Sequence, residues 1–180
     1  MQSKQILIKG AGEMASAVAH RLFRCGYSVV MADIAQPTAV RRRVSFCSAI
    51  YEGEIEIEGV KGIFNQAIGN EQWATRNGKR ETGDNHISIL IDPQCHIKNI
   101  LKPDVIIDAR LLKHNLDNHL TDAPLTIALG PGIEAGKDVH VVIETNRGHA
   151  LGRIITKGFA EADTGNPGVI GGYSLERVFR

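Results

Sequence analysis

Apolar and polar positions in the first part of the chain follow two different periods. Gln5–Lys9 (QILIK) sets Ile6, Leu7 and Ile8 in a row between polar ends, the mark of a short buried strand. Ala15, Val18, Ala19, Leu22 and Phe23 then recur three or four residues apart, which gives one apolar helix face; Gly26 supplies the carboxyl-terminal stop. A second apolar run at residues 27–31 (YSVVM) reads as a strand and closes at Ala32-Asp33. Strand, helix and strand in that order form a crossover unit, and such units build parallel sheets.

The pattern then changes. Residues 46–51 fit a short helix, and residues 54–58 (EIEIE) alternate strictly, as a strand with one wet face does. Val60–Phe64 can pair with that strand across Gly59, whereas residues 69–79 are polar and read as helix followed by loop. Buried strands return at His86–Ile91, at residues 105–108 (VIID) and at Leu125–Leu129, with a short helix over 97–101. Residues 139–144 and 153–156 are further strands, and a glycine- and proline-rich tail from about 157 reads as loop. The expectation is a single α/β domain over residues 1–180: a Rossmann-like, mostly parallel sheet with helices on both faces and a small β-rich insertion at about 46–80.

Charge narrows the classes of partner. With 21 Lys and Arg against 20 Asp and Glu, the formal net charge is +1, so no overall field favours nucleic acid or a membrane surface. Arg41-Arg42-Arg43 is the local exception. No apolar run approaches the roughly 18 residues that span a bilayer, and MQSKQ lacks a signal-peptide core. Cys25, Cys47 and Cys95 are odd in number and far apart, so neither a disulfide framework nor a zinc knuckle is expected. A cytoplasmic location fits best.

Chemistry concentrates at four places. Gly10, Gly12 and Ala15, with Ala11, Glu13 and Met14 between them, fit the G-x-G-x-x-A turn in which glycines let backbone N–H groups approach a pyrophosphate. Asp33, 23 residues after Gly10, stands where a carboxylate accepts hydrogen bonds from ribose hydroxyls. That favours NAD, while the arginines at 41–43 could accommodate the extra phosphate of NADP. Glu13 has two readings: its carboxylate suits the positive end of a helix and swings to solvent, or it stands in for the anion and closes the site.

The second place is DARLLKHN, where Asp108 ends a strand and Arg110, Lys113, His114 and Asn115 follow. It reads equally as a ligand-binding strand end or as a helix cap with solvated bases. Third, Gly130 and Gly132 in LGPG offer N–H groups to an anion or simply make a turn. Fourth, ETNRGH supplies Arg147, able to grip a phosphate or carboxylate, and His149, able to move protons. A His140, Glu144, His149 metal set competes there with a plain hairpin turn at Asn146 and Gly148; the spacing does not support it, and no metal is expected. For proton transfer Lys113, His140 and His149 are the candidates. A pocket is expected where the strand ends carrying Gly10, Asp33, Asp108 and Gly130 converge, with Arg147 and His149 closing it.

The stretch IKGAGEMASAVAHRLFRCGYSVVMADIAQPTAVRRRVSFCSAIYEGE resembles bacterial maturation proteins of selenium-dependent molybdenum hydroxylases. So do DARLLKHN, LGPGIEAGKDVHVVIETNRGHALGRII and ADTGNPGVIGGY, and the likeness runs over about residues 6–180. These proteins are distantly similar to xanthine dehydrogenase accessory proteins. The resemblance implies a bacterial cytosolic accessory factor that helps finish or load a molybdenum-cofactor enzyme, with the apoenzyme or other cofactor-maturation proteins as partners. It also implies a further β-rich segment after Arg180. The ligand expected at the glycine turn is NAD(P) or a molybdopterin dinucleotide, which share a pyrophosphate. An NAD(P)-dependent oxidoreductase and a nucleotide-sensing regulatory module remain alternatives, and self-association stays open.

Overall fold

A computed structural model describes residues 4–65, 85–162 and 169–173. The chain divides into two compact units, one of Met1–Arg110 with Asp122–Pro124, the other of Leu111–Thr121 with Leu125–Arg180. The fold is mixed α/β with nine strands among the described residues, most of them paired in parallel.

The first unit contains β1 (Gln5–Lys9), β2 (Ser28–Asp33), β3 (Glu54–Ile57), β4 (Val60–Phe64), β5 (His86–Ile91) and β6 (Val105–Asp108), in the order β3-β4-β5-β2-β1-β6. All neighbours run parallel except β3, which meets β4 antiparallel, with Ile57 opposite Val60. The helix α1 (Glu13–Arg24) crosses from β1 to β2 and buries Ala15, Ser16, Ala19 and Phe23. Two shorter helices, α2 (Ala49–Glu52) and α3 (Lys98–Leu101), precede β3 and β6.

Alternation along the strands sorts side chains to opposite faces. Leu7, Val30, Leu90 and Ile106 share one face and pack with Ile97, Leu101, Cys95 and Ala123. Burying each large aliphatic side chain stabilises the fold by about 1.5–3 kcal/mol. Ile89 faces the other way, against Phe46, and a side chain at Gly62 would come within 2.6 Å of that ring. Gly62 is therefore required by the ring above it. The hairpin β3–β4 does more than protrude, because β4 adds to the parallel sheet beside β5 through Lys61–His86 to Phe64–Ile89. The polar stretch 69–79 lies outside the described residues.

In the second unit, β7 (Leu125–Leu129) pairs in parallel with β8 (Val141–Ile143), which pairs antiparallel with β9 (Ile154–Ile155). Ala128, Ile133, Ala135, Val139, Val142, Ile155 and Ala160 form its core. β8 and β9 are shorter than the sequence pattern suggests, spanning Val141–Ile143 and Ile154–Ile155. The start of the tail is tied down: Ala135 and Gly158 each donate an N–H to the other's carbonyl, at 2.8 and 3.1 Å. Among the described residues, no helix is long and apolar enough to cross a membrane.

Candidate functional site

The carboxyl ends of β1, β2 and β6 lie side by side in the first unit, and the chemistry collects there. After Lys9 the chain bends at Gly10, whose φ of 95° disfavours any residue with a side chain. A Cβ at Gly10 would also sit 3.3 Å from Arg110 Cγ, so the bend and the close approach of β6 need the same glycine. Gly10 N–H donates to the Ala32 carbonyl (2.7 Å) and Ala109 N–H to the Lys9 carbonyl (3.0 Å), which locks the three strand ends together.

Ala11 is fully buried and every polar group on its backbone is used. Its N–H donates to Asp33 Oδ2 at 2.7 Å, and its carbonyl accepts from Cys47 N–H (2.9 Å) and Ser16 Oγ (3.1 Å). Ser16 Oγ in turn accepts the Phe46 N–H at 2.8 Å. The segment around Phe46 is thus stitched to the turn. Asp33 takes a second amide, from Ile34, at 2.7 Å. Burial nonetheless pushes the Asp33 carboxyl above its ordinary 3.8, against the lowering pull of those two N–H groups and of the Arg110 charge. The Cys47 thiol is pushed up to about 11, by burial first and then by the negative charge of Asp33. It stays protonated at neutral pH, which removes it as a nucleophile.

Gly12 presents the opposite picture from Gly10. Its φ of −69° is open to any residue, and a Cβ there would meet only the Ala39 methyl, at 3.8 Å. No side chain among the described residues caps α1, so the first N–H groups of this twelve-residue helix keep their donor capacity. Glu13, in the first turn, reaches across to the facing loop, where Arg41 holds its carboxylate at 3.0 Å. Arg42 is committed elsewhere, over the Tyr51 ring at 4.3 Å and 3.8 Å from Glu52. Met14 is exposed and Ala15 is buried, letting α1 pack on the sheet.

At the end of β6, Asp108 is 1% exposed and holds Arg110 by a two-pronged grip, Nε at 3.0 Å and Nη2 at 2.6 Å. Lys9, paired with Asp108 in the strand register, is 2% exposed. Sequence reasoning passed over Lys9 because a lysine before a glycine reads as a solvated strand end. Its place in an apolar run that becomes an inner strand, flanked by β2 and β6, was the available signal. Ser16 and Cys47 were missed too; both act through backbone bonds that leave no motif.

The remaining sequence candidates belong to the second unit. Gly130 (φ 78°) has Thr145 Oγ1 only 2.8 Å from where its Cβ would be. At Gly132 (φ 90°) a Cβ would strike the backbone of Leu112, Lys113 and His114. Residues 111–114, LGPG and Thr145 of ETNRGH, scattered in sequence, therefore meet here. Asn115 uses its amide on its own turn, donating to the Asn118 carbonyl and accepting the Asn118 N–H, both at 3.0 Å. His140 Nδ1 accepts the Thr126 N–H at 3.1 Å, which binds the imidazole to β7. Glu144, 1% exposed, accepts the N–H groups of Asn146 and Glu161, both at 2.8 Å, and the Asn146 amide also bonds the Glu161 carboxylate. Lys113, Arg147 and His149 are exposed. Among the described residues, no group of three or more His, Cys, Asp or Glu side chains could hold a metal ion.

The chain is 43% identical over 175 residues to an uncharacterized protein of Escherichia coli (strain K12), YqeB. The match covers 97% of this chain and 31% of that protein, so the chain spans about a third of its relative's length. No protein-family profile matches the chain, and no solved structure matches it.

Proposed function

We propose that the first unit binds a dinucleotide, NAD(P) or a molybdopterin dinucleotide, through its diphosphate, and that the protein serves as an accessory factor in molybdenum hydroxylase maturation. The order β5-β2-β1-β6 matches the 3-2-1-4 order of a Rossmann half, which supports this reading. The observation that carries the reading is the uncapped amino end of α1 behind Gly12. There the missing side chain gives a diphosphate close access to backbone N–H groups, and the helix dipole adds roughly half a positive charge.

Asp33 fits the same reading. Its oxygens each accept one amide, which fixes the carboxylate beside the turn and leaves each oxygen a further lone pair for a ribose hydroxyl. Arg110 is held by Asp108 next to Gly10, which fixes its guanidinium at the same edge. The maturation role itself is supported by the family resemblance of RRRVSF, LGPG and ETNRGH, whose residues are not part of the glycine turn. Titration calorimetry of the folded chain with NADH, NADPH, CDP and GDP tests the binding. Measurable heat with at least one is expected; silence with all four, in protein that melts cooperatively, defeats it. Co-purification with a molybdenum hydroxylase tests the role.

A further inference from the structure

We infer that Arg41 is a switchable partner of this turn: it pairs with Glu13 in the ligand-free protein and with the diphosphate in the complex. The inference rests on the dinucleotide reading above and adds a residue to it. Glu13 raises the problem that Arg41 answers. A carboxylate in the first turn suits the helix, yet it repels an incoming diphosphate at the same amides. The guanidinium 3.0 Å away cancels that charge.

The pair is built to exchange. Both groups are accessible, with side-chain exposures of 72% for Arg41 and 29% for Glu13, and solvent-exposed ion pairs are weak. The Arg41 main chain, in contrast, is anchored: its carbonyl accepts from Ser45 Oγ at 2.8 Å and from Val44 N–H at 3.2 Å, and Ser45 is fully buried. The guanidinium can therefore pivot on a fixed base. Its loop touches the turn, since the Ala39 methyl lies 3.8 Å from the Cβ position of Gly12. A diphosphate offers more negative charge than one carboxylate and matches the planar donor fork. Of the other two arginines, Arg42 is held by Tyr51 and Glu52. Arg43 is exposed and has no partner among the described residues, which makes it the internal control.

The test is NADH and ADP-ribose titrated into the full chain carrying Arg41→Met, Glu13→Gln or Arg43→Met, each checked for unchanged thermal unfolding. Exchange predicts opposite signs. Arg41→Met weakens both ligands about tenfold and Glu13→Gln tightens them about threefold, charge-assisted contacts to phosphate being among the stronger ones. Arg43→Met stays within about twofold, and the first two effects shrink as salt is raised. If Glu13→Gln and Arg41→Met shift affinity in the same direction, the pair is a structural clasp and the inference is overturned; no change from either overturns it equally. Failure of the wild-type chain to bind either ligand strikes the dinucleotide reading itself, a distinct result.

Discussion

Two glycine turns follow parallel strands in this protein. β1 runs into Gly10-Ala11-Gly12 and β7 into Gly130-Pro131-Gly132. In the second unit both glycines are consumed by packing: Thr145 sits against one and the backbone of residues 112–114 against the other. In the first unit only Gly10 is used that way, while Gly12 looks out on a single methyl at van der Waals distance. The same residue type thus serves close packing in one place and access in the other. A glycine that the fold needs is poor evidence for a ligand; a glycine that the fold does not need is better evidence.

The strand-end carboxylates repeat the contrast. Glu144 is almost fully buried and ties two separate segments by their amides. Asp33 does a similar job for Ala11 and Ile34 but remains half-exposed, where a ligand can share it.

The largest effect separates the two turns directly. Gly132→Ala, which combines a positive φ with a backbone clash, should cost about 3 kcal/mol or more in urea unfolding. Gly12→Ala should cost about 1 kcal/mol at most while abolishing dinucleotide binding. Equal losses from the two substitutions would erase the distinction between a packed and an open turn. Next, Glu144→Gln replaces an acceptor by a donor opposite one of its two amides, and should lower stability by about 2 kcal/mol. Proteolysis should then cut first near residues 158–161, and resistance there would remove Glu144 from its tying role.

The smallest effect concerns pH. A carboxyl whose folded-state pKa is raised costs stability when ionised, and that cost fades as pH falls through the raised value towards the ordinary 3.8. Relative to Asp33→Asn, the wild type should therefore gain in melting temperature as pH falls from neutrality towards 3.8. A gap between the two that stays constant across that range would show that burial at Asp33 does not outweigh its amide donors.

Much of the first unit was legible in the chain. The apolar spacing of α1, its stop at Gly26 and the runs of β1, β2, β5 and β6 all express local periodicity, which tertiary contacts reinforced. The sites were legible only as residue types. Asn115 and His140 look like site residues in the sequence, but their polar atoms are used within the second unit by Asn118 and Thr126. Lys9 looks solvated and is buried.

By itself, the order of residues determined which segments become strands and helices, because hydrophobic period and glycine stops act over a few positions. It also determined that a glycine turn opens α1. Tertiary structure alone decided which glycine stays uncovered, which carboxylate is enclosed, and that Glu13 faces Arg41 across 28 positions of chain. Those outcomes depend on which distant backbone comes to rest beside each group, and the physical cost of a clash or an unpaired charge exists only after that approach.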